Sequence, residues 1–183
     1  MTKQVLFVHG GGEGTYDESA KAVESLRAAL GDAYVVRFPK MPNEAEPDFA
    51  TWKNVIAGEL AEMGDGAILI GHSIGGSVVI RVLVDGGIGQ SLAGAFVLSA
   101  PFWHDDDFWN WKEAQLPADA AERIPHDLPL FLYHGREDEV VPVSHVEMYA
   151  RVLPQATVRR LDGRNHMLND DLSEVAQAIK RLS

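Results

Sequence analysis

Ala67 to Gly76 reads AILIGHSIGG, and the fold follows from how those ten residues are parsed. Ala67 to Ile70 is a short apolar run bounded upstream by Gly64, Asp65 and Gly66, the pattern of a strand buried on both faces. Ser77 to Val84 has the length and apolar content of a buried helix. Between them stands Gly71-His72-Ser73-Ile74-Gly75, a G-x-S-x-G pentapeptide. A strand that turns at once into a helix leaves no room for side chains flanking the turn, and Gly71 and Gly75 carry none. Ser73 is then held at the strained tip, with the Ile74 amide opening the helix beside it. That amide and the helix dipole favour negative charge there. The same stretch also reads as a glycine-rich turn with a capping serine. Gly71 to Gly76 has the frame of a phosphate loop too, but Ser77 stands where that loop needs lysine.

The flanking chain decides between these readings. Strands are expected at Val5–Val8, Ala33–Phe38, Gly94–Leu98, Leu128–Tyr133 and Ala156–Leu161, in addition to the central one. Helices are expected at Asp17–Leu30, Asp48–Met63 (with Asp48 as cap), Ser144–Leu153 and Asp171–Leu182. Strand and helix alternate, and the strands lack polar alternation, so the expected fold is α/β: a parallel sheet covered on both faces by right-handed crossovers. Reactive groups in such sheets gather beyond the carboxyl ends of the strands. The loops there hold His9-Gly10-Gly11-Gly12, the Ser73 turn, His134 to Pro142, and Asp162 to His166.

The 183 residues suit a single domain, 46% hydrophobic and 23% charged. A net charge of -11 argues against nucleic-acid and anionic-membrane partners. With no cysteine, thiolate catalysis and zinc-thiolate sites are excluded. The first residues do not read as a signal peptide, and no apolar run approaches the ~20 residues of a membrane span, so a soluble cytoplasmic protein is expected.

Ser73, Asp138 and His166 occur in the chain order of hydrolases that use a nucleophile elbow. On VHGGGEG, GHSIGG, HGREDEVVP and GRNHML, the chain resembles the α/β-hydrolases over nearly its whole length. Within them it is most similar to the small serine hydrolases typified by retinoblastoma-binding protein nine and the YdeN-like proteins. The resemblance implies a three-layer α/β/α sandwich with a six-stranded parallel sheet in the order 2-1-3-4-5-6, without the first hairpin of larger relatives. It further implies a catalytic triad of Ser73 as nucleophile, His166 as base and Asp138 as the acid that orients it. The amides of Ile74 and of Gly11 or Gly12 would form the oxyanion hole, the glycine-loop donor being the variable part of the pattern. The implied activity is cleavage of small carboxylic esters through an acyl-enzyme, with no cofactor and no metal. Amide or thioester cleavage, acyl transfer, and a non-catalytic binding role on the same fold are the alternatives.

Among the other histidines, His9 is expected to brace the glycine loop and His134 to be packed. Glu137 and Glu139 read as a solvated acidic loop, and Asp162 as a turn residue. Residues 99–127 are rich in aromatics and in this fold would roof the active site, with Trp103, Trp109 and Trp111, together with His72, as candidate pocket residues. The rival reading is a small satellite core. His104 beside Asp105 to Asp107 superficially suggests a hard metal site, but adjacent aspartates cannot all turn to one ion, so a helix start or solvated turn is preferred.

Overall fold

A computed structural model describes residues 2–105 and 107–182. Six strands form one parallel sheet in the order β2-β1-β3-β4-β5-β6. They are β1 (Lys3–Val8), β2 (Tyr34–Arg37), β3 (Ala67–His72), β4 (Leu92–Leu98), β5 (Leu130–Gly135) and β6 (Thr157–Leu161). The helices are α1 (Thr15–Leu30), α2 (Phe49–Met63), α3 (Ile74–Asp85), α4 (Ala120–Arg123), α5 (Ser144–Val152) and α6 (Ser173–Lys180).

The strands read as continuous apolar runs because each face meets its own core. Val5, Phe7, Ile68, Ile70, Phe96 and Leu98 pack against α1 and α6. Leu6, Val8, Leu69, Ala95, Val97 and Leu132 face the opposite way, against α2, α3 and α5. Trp52 of α2 is fully buried there and donates its indole N–H to the Pro42 carbonyl at 2.8 Å. This ties the irregular segment 39–47 to the core.

Several element ends differ from the sequence expectation, each for a local reason. Helix α1 begins at Thr15, two residues before Asp17, because Gly14 turns in with φ 84° and Glu44 accepts the Tyr16 N–H from another part of the chain at 2.9 Å. Helix α3 begins at Ile74, the residue expected to open it, and includes Gly75 and Gly76. Asp48 caps α2 as expected, accepting the Thr51 N–H at 2.8 Å. Segment 99–127 holds a 3-10 turn at Lys112–Ala114 and the short helix α4.

Candidate active site

Ser73 sits at the tip of the β3–α3 turn with φ 53° and ψ -127°. A non-glycine residue there costs on the order of 1–3 kcal/mol and persists only where the surroundings fix it. They do so through backbone. The Ser73 N–H donates to the Leu98 carbonyl at 2.8 Å, and the Ser73 carbonyl accepts from Ser77 at 3.2 Å. A Cβ on Gly75 would fall 2.2 Å from the His9 carbonyl oxygen, and one on Gly71 would fall 2.6 Å from that of Gly75. The helix start is therefore jammed against the end of β1, and only glycine fits.

Asp138 and His166 come together from two neighbouring loops. His166 Nδ1 donates to Asp138, 2.9 Å from Oδ2 and 3.1 Å from Oδ1. The approach depends on Gly135 at the end of β5, whose missing Cβ would lie 2.1 Å from the Arg164 carbonyl oxygen. The Glu137 N–H donates to that same carbonyl at 3.1 Å.

The Asp138 side chain is fully buried. Burial by itself raises a carboxyl pKa, but hydrogen bonds from His134, His166 and the Val141 amide outweigh it. They hold the group well below the usual carboxylate range, so it is an anion throughout the physiological range. Oδ1 accepts the Val140 and Val141 N–H groups at 2.9 and 2.8 Å. With Nδ1–H directed at this anion, the lone pair of His166 is on Nε2, at the opposite edge of the ring.

Two residues beyond His166 come Leu168, Asn169 and Asp170, all with φ between 53° and 57°. Three left-handed non-glycine residues in a row are held by reciprocal bonds: Asn169 N–H to Asn165 Oδ1 at 2.8 Å and Asn165 N–H to Asn169 Oδ1 at 3.0 Å. Arg164 adds bonds to the Leu168 carbonyl at 3.1 Å and to Asp171 at 2.8 Å.

Ser73 and His166 line one cavity of about 170 Å³, walled also by Gly10, Gly11, Thr15, Glu18, Ser19, His72, Val140 and Met167. Of the two glycines considered as amide donors, only Gly11 reaches it. The Gly12 N–H donates instead to the Glu44 carbonyl at 2.6 Å, so Gly12 is set aside. The Ile74 amide is the first of α3 and lies next to Ser73.

His72 also lines the cavity, and its Nε2–H donates to the His166 carbonyl at 2.9 Å. Burial, then the neighbouring His166 ring, push His72 down to about 3, so it stays neutral. None of Trp103, Trp109 and Trp111 lines this cavity. Trp103 packs its ring against Trp109 and Trp111, and Trp109 packs against His145.

His9 braces the glycine loop: its Nε2 accepts the Met41 N–H at 2.8 Å, and Nδ1–H therefore donates to Gly10 O at 2.7 Å. Asp162 lies in an exposed ion pair with Arg136 at 2.7 Å. Glu137 is less free than its sequence suggests, accepting the Arg164 N–H at 3.1 Å.

His134 was legible only as a packed residue, yet it reaches the buried acid. Its Nε2–H donates to the Val141 carbonyl at 2.8 Å and lies 3.2 Å from Asp138 Oδ2. The available signal was the i,i+4 spacing of His134 and Asp138 around a glycine. Among the described residues, no three His, Asp or Glu side chains gather as a metal-binding group. Asp106, one of the three adjacent aspartates, lies outside the described residues.

A model of the alpha/beta hydrolase family matches residues 5–125, about two thirds of the chain. The chain belongs to the alpha/beta hydrolase family. Solved structures repeat its fold at low identity. The ydeN gene product of B. subtilis superposes with a TM-score of 0.76 at 19% identity, covering 98% of this chain and 97% of that one. The esterase domain of a Rhodothermus marinus protein gives 0.70 at 20% identity, over 97% and 84% of the two chains. A Paleococcus ferrophilus monoacylglycerol lipase gives 0.71 at 19% identity, over 97% and 93%. By sequence, no curated protein matches this hydrolase-family chain. Among its described residues no helix is long and apolar enough to cross a membrane.

Proposed function

We propose that this chain is a serine hydrolase that cleaves small carboxylic esters through an acyl-enzyme. The observation that carries the reading is the His166–Asp138 hydrogen bond at 2.9 Å, made by an imidazole that shares a cavity with Ser73. Neither the family nor the structural relatives assign roles to these residues; the geometry and the chemistry of the groups support them.

In this reading His166 Nε2 takes the Ser73 hydroxyl proton as Oγ attacks the ester carbonyl. Buried Asp138 stabilises the imidazolium that results and keeps Nδ1 protonated. The amides of Ile74 and Gly11 receive the oxyanion, and losing one such donor costs roughly 3 kcal/mol of barrier. Collapse breaks the carbonyl–alkoxy bond, and the alcohol leaves with the proton from Nε2. Water then repeats the sequence on the acyl-Ser73 ester, releasing the acid. His134 and the Val140 and Val141 amides fix the carboxylate that fixes the base.

The test is labelling by a fluorophosphonate together with turnover of short-chain p-nitrophenyl esters. Wild-type protein is expected to do both, and Ser73→Ala neither. Esterase activity that survives in Ser73→Ala at the wild-type rate would remove this site from the chemistry.

A further inference from the structure

The cavity at Ser73 has one charged wall. Apart from two imidazoles, its lining is glycine, hydroxyl and apolar side chains, and Glu18 alone brings a formal charge. Glu18 lies in the first turn of α1, is exposed, and makes no ion pair among the described residues.

The cations of the surrounding loops, by contrast, are already neutralised. Lys40 is held by Glu44 at 3.3 Å, Arg136 by Asp162 at 2.7 Å and Arg164 by Asp171 at 2.8 Å. Nor does the helix start depend on Glu18: Glu44 accepts the Tyr16 N–H, and Asp17 supplies an acid to the same turn without lining the cavity. An unneutralised carboxylate at the edge of a small cavity, on a chain of net charge -11, attracts cations and repels anions.

Building on the hydrolase reading of Ser73, we infer that the site selects small acyl compounds carrying an ammonium group close to the scissile carbonyl, with Glu18 as the specificity-determining residue. The ammonium lies against the Glu18 carboxylate while the carbonyl meets Ser73. The small volume restricts the rest of the substrate to a few heavy atoms, and negatively charged acyl compounds are disfavoured. Attraction between charges open to solvent is modest and falls with added salt.

The experiment compares charged and neutral isosteres as purified pairs. Acetylcholine against 3,3-dimethylbutyl acetate places the charge on the alcohol; methyl 4-aminobutyrate against methyl pentanoate places it on the acyl group. In at least one pair, wild-type protein is expected to favour the cation in kcat/KM by about three- to fivefold at low salt. The preference should fall to parity in Glu18→Gln and invert in Glu18→Lys, with thermal melting confirming that both variants are folded. No preference in either pair, or a preference that survives Glu18→Gln, overturns the inference. If neither ester of any pair is turned over, turnover of p-nitrophenyl acetate decides the hydrolase reading separately. The Glu18 assignment is then read from choline alone, by NMR shift changes at the cavity residues. Weaker binding to Glu18→Gln than to wild type supports the assignment, and equal binding overturns it.

Discussion

Two neighbouring regions beyond the carboxyl edge of the sheet are built by opposite means. The elbow and the Asp138–His166 loops are fixed by backbone. Gly75 meets the His9 carbonyl, Gly135 meets the Arg164 carbonyl, and the Asp138 carboxylate takes two amides and approaches two imidazoles. The aromatic segment that follows β4 is fixed by side chains. Trp103 stands edge-on to Trp109 and Trp111 with ring centres 5.8 and 5.5 Å apart, and Phe102 packs on Tyr149 at 4.9 Å. Phe108, at its outer end, is 77% exposed. Backbone contacts admit one residue type and one geometry. Ring contacts admit many, because apolar packing is not directional. The first region holds its atoms to a narrow tolerance; the second packs by apolar ring contact.

That contrast can be broken at several points. The largest effect is expected from Asp138→Asn, which keeps the shape but removes the anion that sets the His166 tautomer. Ester turnover should fall by roughly 10³- to 10⁴-fold in steady-state assays, and a loss below tenfold would mean that Asp138 is only a loop anchor.

Gly75→Ala forces a methyl into the end of β1, with its carbon 2.2 Å from the His9 carbonyl oxygen. It should cost about 3 kcal/mol or more of stability in urea titration, because no side chain can rotate to relieve a backbone clash. A neutral result would show that the elbow can shift as freely as the aromatic segment.

His72 gives a smaller, pH-dependent signal. Its folded pKa of about 3 lies below the ordinary 6.5, so between those values the unfolded chain binds the extra proton and stability falls as pH drops. From pH 7 to pH 5 this group accounts for roughly 2 kcal/mol. His72→Asn should remove that part of the slope, measured as unfolding free energy at each pH. An unchanged slope would mean that the ring is not sequestered.

The smallest effect is expected in the aromatic segment. Trp109→Ala should lower stability by about 1–2 kcal/mol, while kcat/KM for a short ester changes by less than about threefold, since Trp109 is absent from the cavity wall. A tenfold loss on acetate esters would make the segment part of the catalytic pocket and erase the difference between the two regions.

The same distinction explains what could be read beforehand. Strand and helix order, the parallel sheet, and the loops bearing Ser73, Asp138 and His166 follow from apolar periodicity and from glycines at positions that tolerate nothing else. Both are local properties of the chain. The sequence also marked Gly11 and Gly12 as equivalent candidates. Only the fold separates them, because the acceptor of the Gly12 N–H is a carbonyl 32 residues away, at Glu44. His134 beside Asp138, the carboxylate of Glu44 at the start of α1, and Glu18 on the wall of the cavity are likewise products of tertiary structure. The tryptophans looked like pocket residues because composition records that aromatic side chains are present and not which way they face. The sequence by itself determined which backbone positions must be bare and where chemistry-bearing residues follow strands. Tertiary structure decided which of those residues meet, since a hydrogen bond or an ion pair depends on ångström distances between segments that no local pattern encodes.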